Sequence, residues 1–201
     1  MYRADIYTGL ESYVASQVNG HRYAHCRSCA VTMKALLDRF PKSYRDDPAG
    51  SDAGMYVGLW HDVARGWSDR ALLEFCLDRS LPMEPEERNC PMLLHGTVAA
   101  ALMPEHIPDC PETWMRAVRW HTLGDISMGA LGLAMYITDY LEPLRTHIDP
   151  ARRRYLLSLS TMEEMGLRII EDQNEYFRRT GLVQAEATRR LYLHLLRGGR
   201  L

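Results

Sequence analysis

The chain has 201 residues, 46% of them hydrophobic and 25% charged, and a net charge of −2. These values are typical of a globular protein of one domain, and they argue against a disordered chain or a general polyanion binder. No apolar run approaches the roughly 20 residues of a membrane span, and the N-terminal sequence lacks the apolar core of a secretory signal. We therefore expect a cytoplasmic protein without a membrane partner.

Helical periodicity recurs along nearly the whole chain, and strand-like alternation is scarce, so the predicted fold class is all-α. A loop is predicted at 42–51. In chain order, helices are predicted at about 4–17, 22–40, 52–64, 69–79, 90–103, 111–121, 127–142, 161–181 and 184–197.

Several helix ends carry specific signals. Asp109 is predicted to be an N-cap, with Pro111 early in the first turn and Glu112 completing a capping box. Thr161 is predicted to open a helix that ends near Gly181.

Small residues mark one face of the helix predicted at 52–64. Gly54, Gly58 and His61 share that face, and the two glycines allow a neighbouring helix to approach closely.

The cysteines, at positions 26, 29, 76, 90 and 110, are odd in number and cannot all pair within one chain. This number fits a reducing compartment. Cys26 and Cys29 form a Cys-x-x-Cys motif, but no second pair completes a zinc cage. We interpret these two cysteines as small thiols packed on a helix.

Residues 151–201 carry ten arginines and six acidic residues. Such a basic segment could bind nucleic acid, but glutamate and arginine recur four residues apart in it. The pairs Glu164/Arg168 and Glu175/Arg179 indicate solvated helix faces. We therefore expect no nucleic-acid partner.

Six residues are candidates for a two-metal site, because imidazole nitrogens and carboxylate oxygens bind hard or borderline divalent cations. A lone histidine on an apolar face is more often a satisfied core residue, and Asp139 alone could pair with Arg145 or Arg119. Together, however, the six form a pattern that chance explains poorly: His25, His61, Asp62, His95, His121 and Asp139.

The sequence resembles the HD-domain superfamily and, within it, the YqeK-type symmetrical dinucleoside tetraphosphatases. The resemblance covers about residues 18–147 in order. Its motifs are Arg22-Tyr-Ala-His25, Gly58-Leu-Trp-His-Asp-Val-Ala64, Leu94-His95-Gly96, Arg119-Trp-His-Thr-Leu-Gly124, and Asp139-Tyr-Leu-Glu-Pro143 with Arg145.

The resemblance implies a role for each candidate ligand. The basic metal site of the superfamily would comprise His25, His61, Asp62 and Asp139. His95 and His121 would hold a second metal, with Asp62 bridging the two. The implied cofactors are two divalent transition-metal ions, iron first, with manganese or cobalt as alternatives.

The resemblance also implies the architecture and the activity. The architecture is one HD-domain helical bundle over residues 1–201, with a metal-binding core at about 18–147 and a C-terminal helical extension at about 148–201. The activity is hydrolysis of an acid anhydride, in which a metal-activated hydroxide splits diadenosine tetraphosphate into two ADP. A homodimer is possible by the same resemblance.

Catalytic roles are expected for Asp62 and for Arg65, which stands where the family commonly has lysine. Candidate substrate contacts are Thr122, Gly124 and Arg145. Two alternatives stay open: an HD-type phosphohydrolase of another nucleotide, and a non-catalytic nucleotide-binding HD module.

Overall fold

The computed structural model describes residues 4–44 and 47–201, and no strand occurs among them, so the predicted all-α class is confirmed. The α-helices of this part are α1 (Ala4–Gln17), α2 (Gly20–Arg39), α3 (Ala53–Trp60), α4 (Asp69–Asp78), α5 (Pro85–Asn89), α6 (His95–His106), α7 (Glu112–Trp120), α8 (Gly129–Leu141), α9 (Pro150–Ser158), α10 (Met162–Thr180) and α11 (Glu186–Leu196).

Periodicity located the long helices and missed the short ones. The helices α5 and α9 are absent from the prediction because each is short and carries few residues of an apolar pattern. Inside the predicted loop 42–51, 3-10 helices occupy Pro41–Tyr44 and Gly50–Asp52, and residues 45–46 lie outside the described residues. The helix predicted at 52–64 ends at Trp60, so His61 lies in the following turn.

The prediction of Asp109 as an N-cap is wrong. The N-cap of α7 is Pro111, without a side-chain hydrogen bond, and Asp109 instead has a positive φ of 55°. A residue before proline is disfavoured in the helical region, so the helix begins only after Pro111. A capping box is found on α5, between Glu84 and Glu87.

The predicted ends of α10 are confirmed. The side chain of Thr161 accepts a hydrogen bond from the amide of Glu164 at 3.1 Å, and Gly181 ends the helix in the left-handed conformation.

The ion pairs on α10 differ from the predicted ones. Arg168 pairs with Glu171 and Arg178 pairs with Glu175, each three residues apart instead of four.

Two glycines bring α3 into backbone contact with α2, as predicted. A Cβ atom on Gly54 would lie 2.7 Å from the amide nitrogen of Lys34, and one on Gly58 would lie 2.7 Å from the Cα of Ala30. No side chain fits between the helices at these points. This contact brings the turn after α3 next to the first half of α2, where His25 lies.

The remaining helices enclose this pair. The buried apolar cluster runs from Tyr7 of α1, through α2, α3 and α8, to Leu195 of α11. Helix α8 packs against α2, α7 and α10, and α6 packs against α7. Among the described residues, no helix combines the length and apolar character needed to span a bilayer.

A buried hydroxyl on α8 leads to a stability prediction. Thr138 is buried, and its Oγ1 has no hydrogen-bond partner among the described residues. An unpaired buried polar group costs about 1–3 kcal/mol. Thr138→Val, which keeps the shape, is therefore expected to raise the free energy of unfolding of the metal-free protein by about 1 kcal/mol in a denaturant titration.

The matched control is Thr188→Val. The Oγ1 of Thr188 is also buried but donates to the carbonyl oxygen of Leu123. This variant is expected to lose stability, because it leaves that carbonyl without its partner. Shifts of the same sign in both variants would contradict the prediction.

Candidate metal centre

The six candidate ligands converge at one place between α2, α3, α6, α7 and α8. Five of them are no more than 3% exposed, whereas the Asp139 side chain is 22% exposed and faces an opening. His25 lies within α2 and Asp139 lies near the end of α8. The other four ligands lie at or just beyond helix ends.

Four ligand atoms form what we name subsite A: His25 Nε2, His61 Nε2, Asp139 Oδ1 and Asp62 Oδ2. The two imidazole nitrogens are 3.2 Å apart, and His25 Nε2 is 3.1 Å from Asp139 Oδ1. Asp62 Oδ2 lies 3.5 Å from His61 Nε2 and 3.8 Å from His25 Nε2.

Three ligand atoms form subsite B: His95 Nε2, His121 Nε2 and Asp62 Oδ1. The imidazole nitrogens are 3.1 Å apart, and Asp62 Oδ1 lies 3.2 Å from His95 and 3.7 Å from His121. Asp62 therefore directs one oxygen to each subsite. Such a carboxylate can bridge two cations.

Helix ends orient three of the histidines. His61 follows the last residue of α3, His95 that of a 3-10 helix at Pro91–Leu94, and His121 that of α7. Carbonyls at such helix ends are accessible to side chains. In each case Nδ1 binds the carbonyl three residues earlier, on Gly58 at 2.8 Å, Met92 at 2.6 Å and Val118 at 2.7 Å. A carbonyl can only accept, so Nδ1 carries the proton and the Nε2 of each neutral ring keeps its lone pair.

The donor set fits a cation. At subsite B two lone-pair nitrogens face each other at 3.1 Å, and the hydroxyl of Thr122 can donate to only one of them at a time. Burial lowers the pKa of His95 and lowers that of His61 to about 3, so neither of these two rings takes up a second proton near neutral pH. Ligands at about 2.1 Å from one ion lie about 3.0–3.4 Å apart, close to the distances here.

The carboxylates are held in their charged form. Burial alone would raise the pKa of Asp62, but its interactions with the neighbouring imidazoles of His61, His121 and His95 hold that pKa well below its usual range. The pKa of Asp139 is lowered in the same way, by His25, His61 and Arg145 against its burial. Both aspartates are therefore available as anionic ligands at neutral pH.

Cys29 lies beside subsite A, with its Sγ 3.7 Å from His25 Nε2. Burial raises the pKa of this thiol well above its usual value, so it stays protonated and is a poor ligand. Cys26 and Cys29 are both free and fully buried.

Two arginines contact the carboxylates of the cluster. The Nη1 of Arg22 donates to Asp62 Oδ2 at 2.6 Å, and the guanidinium of Arg145 donates to Asp139 Oδ1. Asp139 thus has the arginine partner considered from the sequence and also faces the cluster. Arg119 instead makes a two-pronged pair with the buried Glu87, at 2.7 Å for each bond, and so has a structural partner.

A cavity of about 650 Å³ adjoins the cluster. Its wall includes two candidate ligands, His121 and Asp139, and two predicted substrate contacts, Thr122 and Arg145. Tyrosines and polar groups complete the lining: Tyr136, Tyr140, His147, Asp172, Gln173 and Tyr176.

The other predicted site residues lie outside this cavity. Arg65 lines a separate groove together with Arg22, which contacts Asp62. Gly124 is buried with a φ of 71°, and its amide donates to the carbonyl of Trp120 at 2.7 Å. Gly124 therefore shapes the turn after His121.

Sequence reasoning did not assign Arg22 or Glu142 to the site. Arg22 precedes His25 by three residues and Glu142 follows Asp139 by three, so helical spacing could have suggested both. No local sequence pattern indicates that Gln173 or Tyr176 belongs to the site. Helix α10 brings both residues to the cavity from a distant part of the chain.

Comparison with known proteins supports the motif resemblance. No family model matches the chain. It is 28% identical over 142 residues to the symmetrical bis(5'-nucleosyl)-tetraphosphatase of Bacillus subtilis (strain 168), an alignment that covers 70% of this chain and 72% of that protein.

The structure is similar to the crystal structure of a predicted HD superfamily hydrolase involved in NAD metabolism from Clostridium acetobutylicum. The TM-score is 0.84 at 22% identity, and the match covers 98% of this chain and 99% of that one. The resemblance predicted from the motifs is therefore confirmed. The chain has the fold of an HD superfamily hydrolase and is a relative of a symmetrical bis(5'-nucleosyl)-tetraphosphatase.

Proposed function

We propose that the chain is a metal-dependent phosphohydrolase that cleaves diadenosine tetraphosphate symmetrically into two ADP. One observation carries the proposal: Asp62 directs one oxygen to each of two histidine pairs, beside a cavity that His121 and Asp139 line. The B. subtilis relative is named for a symmetrical tetraphosphatase reaction.

We propose that subsites A and B hold two divalent transition-metal ions, iron first, with manganese or cobalt as alternatives. Four imidazoles and two carboxylates without a thiolate suit these ions. When bound, such ions polarise a phosphoryl oxygen and lower the pKa of a water molecule towards about 7.

The side chains around the cluster bind and orient the phosphates. The guanidinium of Arg145 donates to Asp139 and has further N–H groups for a phosphate oxygen, and Thr122 adds a hydroxyl at the cavity wall. Arg65 and Arg22 place positive charge on the groove near Asp62. In the reaction, a water molecule loses a proton to solvent and its oxygen bonds to one central phosphorus. The bridging P–O bond of that phosphorus breaks, and the departing ADP takes the electron pair.

The test is product identification on protein loaded with iron or manganese under anaerobic conditions. We expect diadenosine tetraphosphate to yield ADP as the sole nucleotide product, resolved by ion-exchange chromatography. Protein stripped with a chelator is the control and is expected to be inactive until metal is restored. Formation of AMP with ATP would contradict symmetrical cleavage.

The two alternatives give different results. A hydrolase of another nucleotide would leave diadenosine tetraphosphate intact and turn over a mononucleotide or a cyclic phosphodiester in a substrate panel. A non-catalytic module would bind nucleotide without releasing product. The complete set of six converging ligands favours an enzyme.

We extend the proposal to the domain organisation, the compartment and the partners of the enzyme. Residues 1–201 would act as one HD domain, with the C-terminal extension from about 148 supplying a wall of the cavity through α10. Five free thiols favour the cytoplasm as its compartment. A homodimer and the absence of a nucleic-acid partner stay predictions.

A further inference from the structure

His25 differs from the other three histidines in the partner of its Nδ1. The Nδ1 of the others binds a backbone carbonyl, whereas His25 Nδ1 lies 3.0 Å from Glu142 Oε1. The reason is position: His25 lies inside α2, where the carbonyls are used by the helix itself. A side chain from the end of α8 therefore supplies the acceptor.

Glu142 is a buried carboxylate, 1% exposed, without an arginine or lysine ion pair among the described residues. Its Oε2 accepts the amide of Leu144 at 2.8 Å, and the Ser28 side chain also donates to the carboxylate. Its ion-pair partner in the described chain is His25. A buried carboxylate costs several kcal/mol unless positive charge compensates it. The ring of His25 supplies such charge when Nε2 binds a cation.

A carboxylate on the far nitrogen of a ligating histidine fixes the ring and makes it a stronger electron donor than a carbonyl does. Subsite A contains a histidine of this kind, and it also has four ligand atoms against three at subsite B. The two subsites are therefore unequal, although their histidine pairs have nearly the same spacing.

We propose that Glu142 is a positioning residue that strengthens the donation of His25, so that subsite A binds the first metal ion and subsite B the second. This inference rests on the metal site of the proposed function, but it does not depend on which nucleotide is hydrolysed.

The experiment is a Co²⁺ titration of metal-free protein, followed by visible absorption and calorimetry. The unaltered protein is expected to bind two ions in two steps. Glu142→Gln keeps the size of the side chain and removes its charge, so it is expected to weaken the first step by about 10- to 100-fold and leave the second nearly unchanged.

Two further variants assign the steps. His95→Ala is expected to remove the second step and keep the first, and adding Glu142→Gln to it isolates the effect on subsite A. Asp125→Asn is the matched control, because it removes the charge of another buried carboxylate that pairs with Arg190 outside the cluster. Both steps are expected to be unchanged in it.

Several outcomes would overturn the proposal: a first step within about twofold of the unaltered protein, equal weakening of both steps, or loss of stability alone. If Glu142→Gln does not fold, Glu142→Asp replaces it. That variant keeps the charge but withdraws it from His25, and it must also weaken the first step selectively. If Co²⁺ binds in the expected steps but the protein leaves diadenosine tetraphosphate intact, only the proposed substrate is refuted. The role proposed for Glu142 would stand.

Discussion

Asp62→Asn is expected to lose most of its bound metal and to lower kcat/KM by about a thousandfold or more. Metal-based stabilisation of the transition state contributes several kcal/mol, and each 1.36 kcal/mol is worth a factor of about ten in rate. The substitution keeps the size of the side chain. It removes the negative charge between the subsites and replaces one ligand oxygen with an amide group that donates towards a histidine.

The measurement combines metal analysis with ADP release on the same preparation. Asp52→Asn is the matched control, because Asp52 immediately precedes α3 at the end opposite His61 and lies 3.6 Å from Lys34. This control is expected to retain about two ions per chain and full activity. Undiminished ADP release by Asp62→Asn would refute the assignment of Asp62 as the shared ligand.

Gly58→Ala is expected to destabilise the protein by about 2–3 kcal/mol and to deplete subsite A. The added Cβ would lie 2.7 Å from the Cα and N atoms of Ala30 and 2.8 Å from the carbonyl carbon of Cys29. All three are backbone atoms of α2, so a side-chain rotation cannot relieve the overlap. Helix α3 would move away from α2 and carry His61 away from His25.

The control variant is expected to change the free energy of unfolding in the opposite direction. Gly9 lies on the exposed side of α1, where an added Cβ has no neighbour within 4 Å. Gly9→Ala should therefore stabilise the protein by about 0.5–1 kcal/mol, because alanine loses less backbone entropy in a helix. Denaturant unfolding of the metal-free proteins measures both changes, and metal analysis reports subsite A. Equal stability of Gly58→Ala and the unaltered protein would contradict the backbone contact.

The prediction of the fold from sequence succeeded for features that depend on interactions between residues close in the chain. The long helices follow from apolar periodicity, and the ends of α10 follow from Thr161 and Gly181. It failed at Asp109, where the proline two residues later moved the helix start, and at α5 and α9, where few residues carry the pattern.

The sequence by itself determined the helical class, the close contact through Gly54 and Gly58, and the choice of six residues as candidate metal ligands. These depend on residue type and on spacing within one element. Even the tautomers of His61, His95 and His121 have a local origin, because each ring binds a carbonyl three residues earlier.

Tertiary structure decided which oxygen of Asp62 faces which histidine pair, that Glu142 supports His25 from a different helix, and that Arg119 pairs with Glu87. It also decided that α10 closes one wall of the cavity with Gln173 and Tyr176. Apart from the adjacent pair His61 and Asp62, these contacts join residues that are tens of positions apart. Their geometry is set by how helices cross and pack, and no spacing along the chain encodes it.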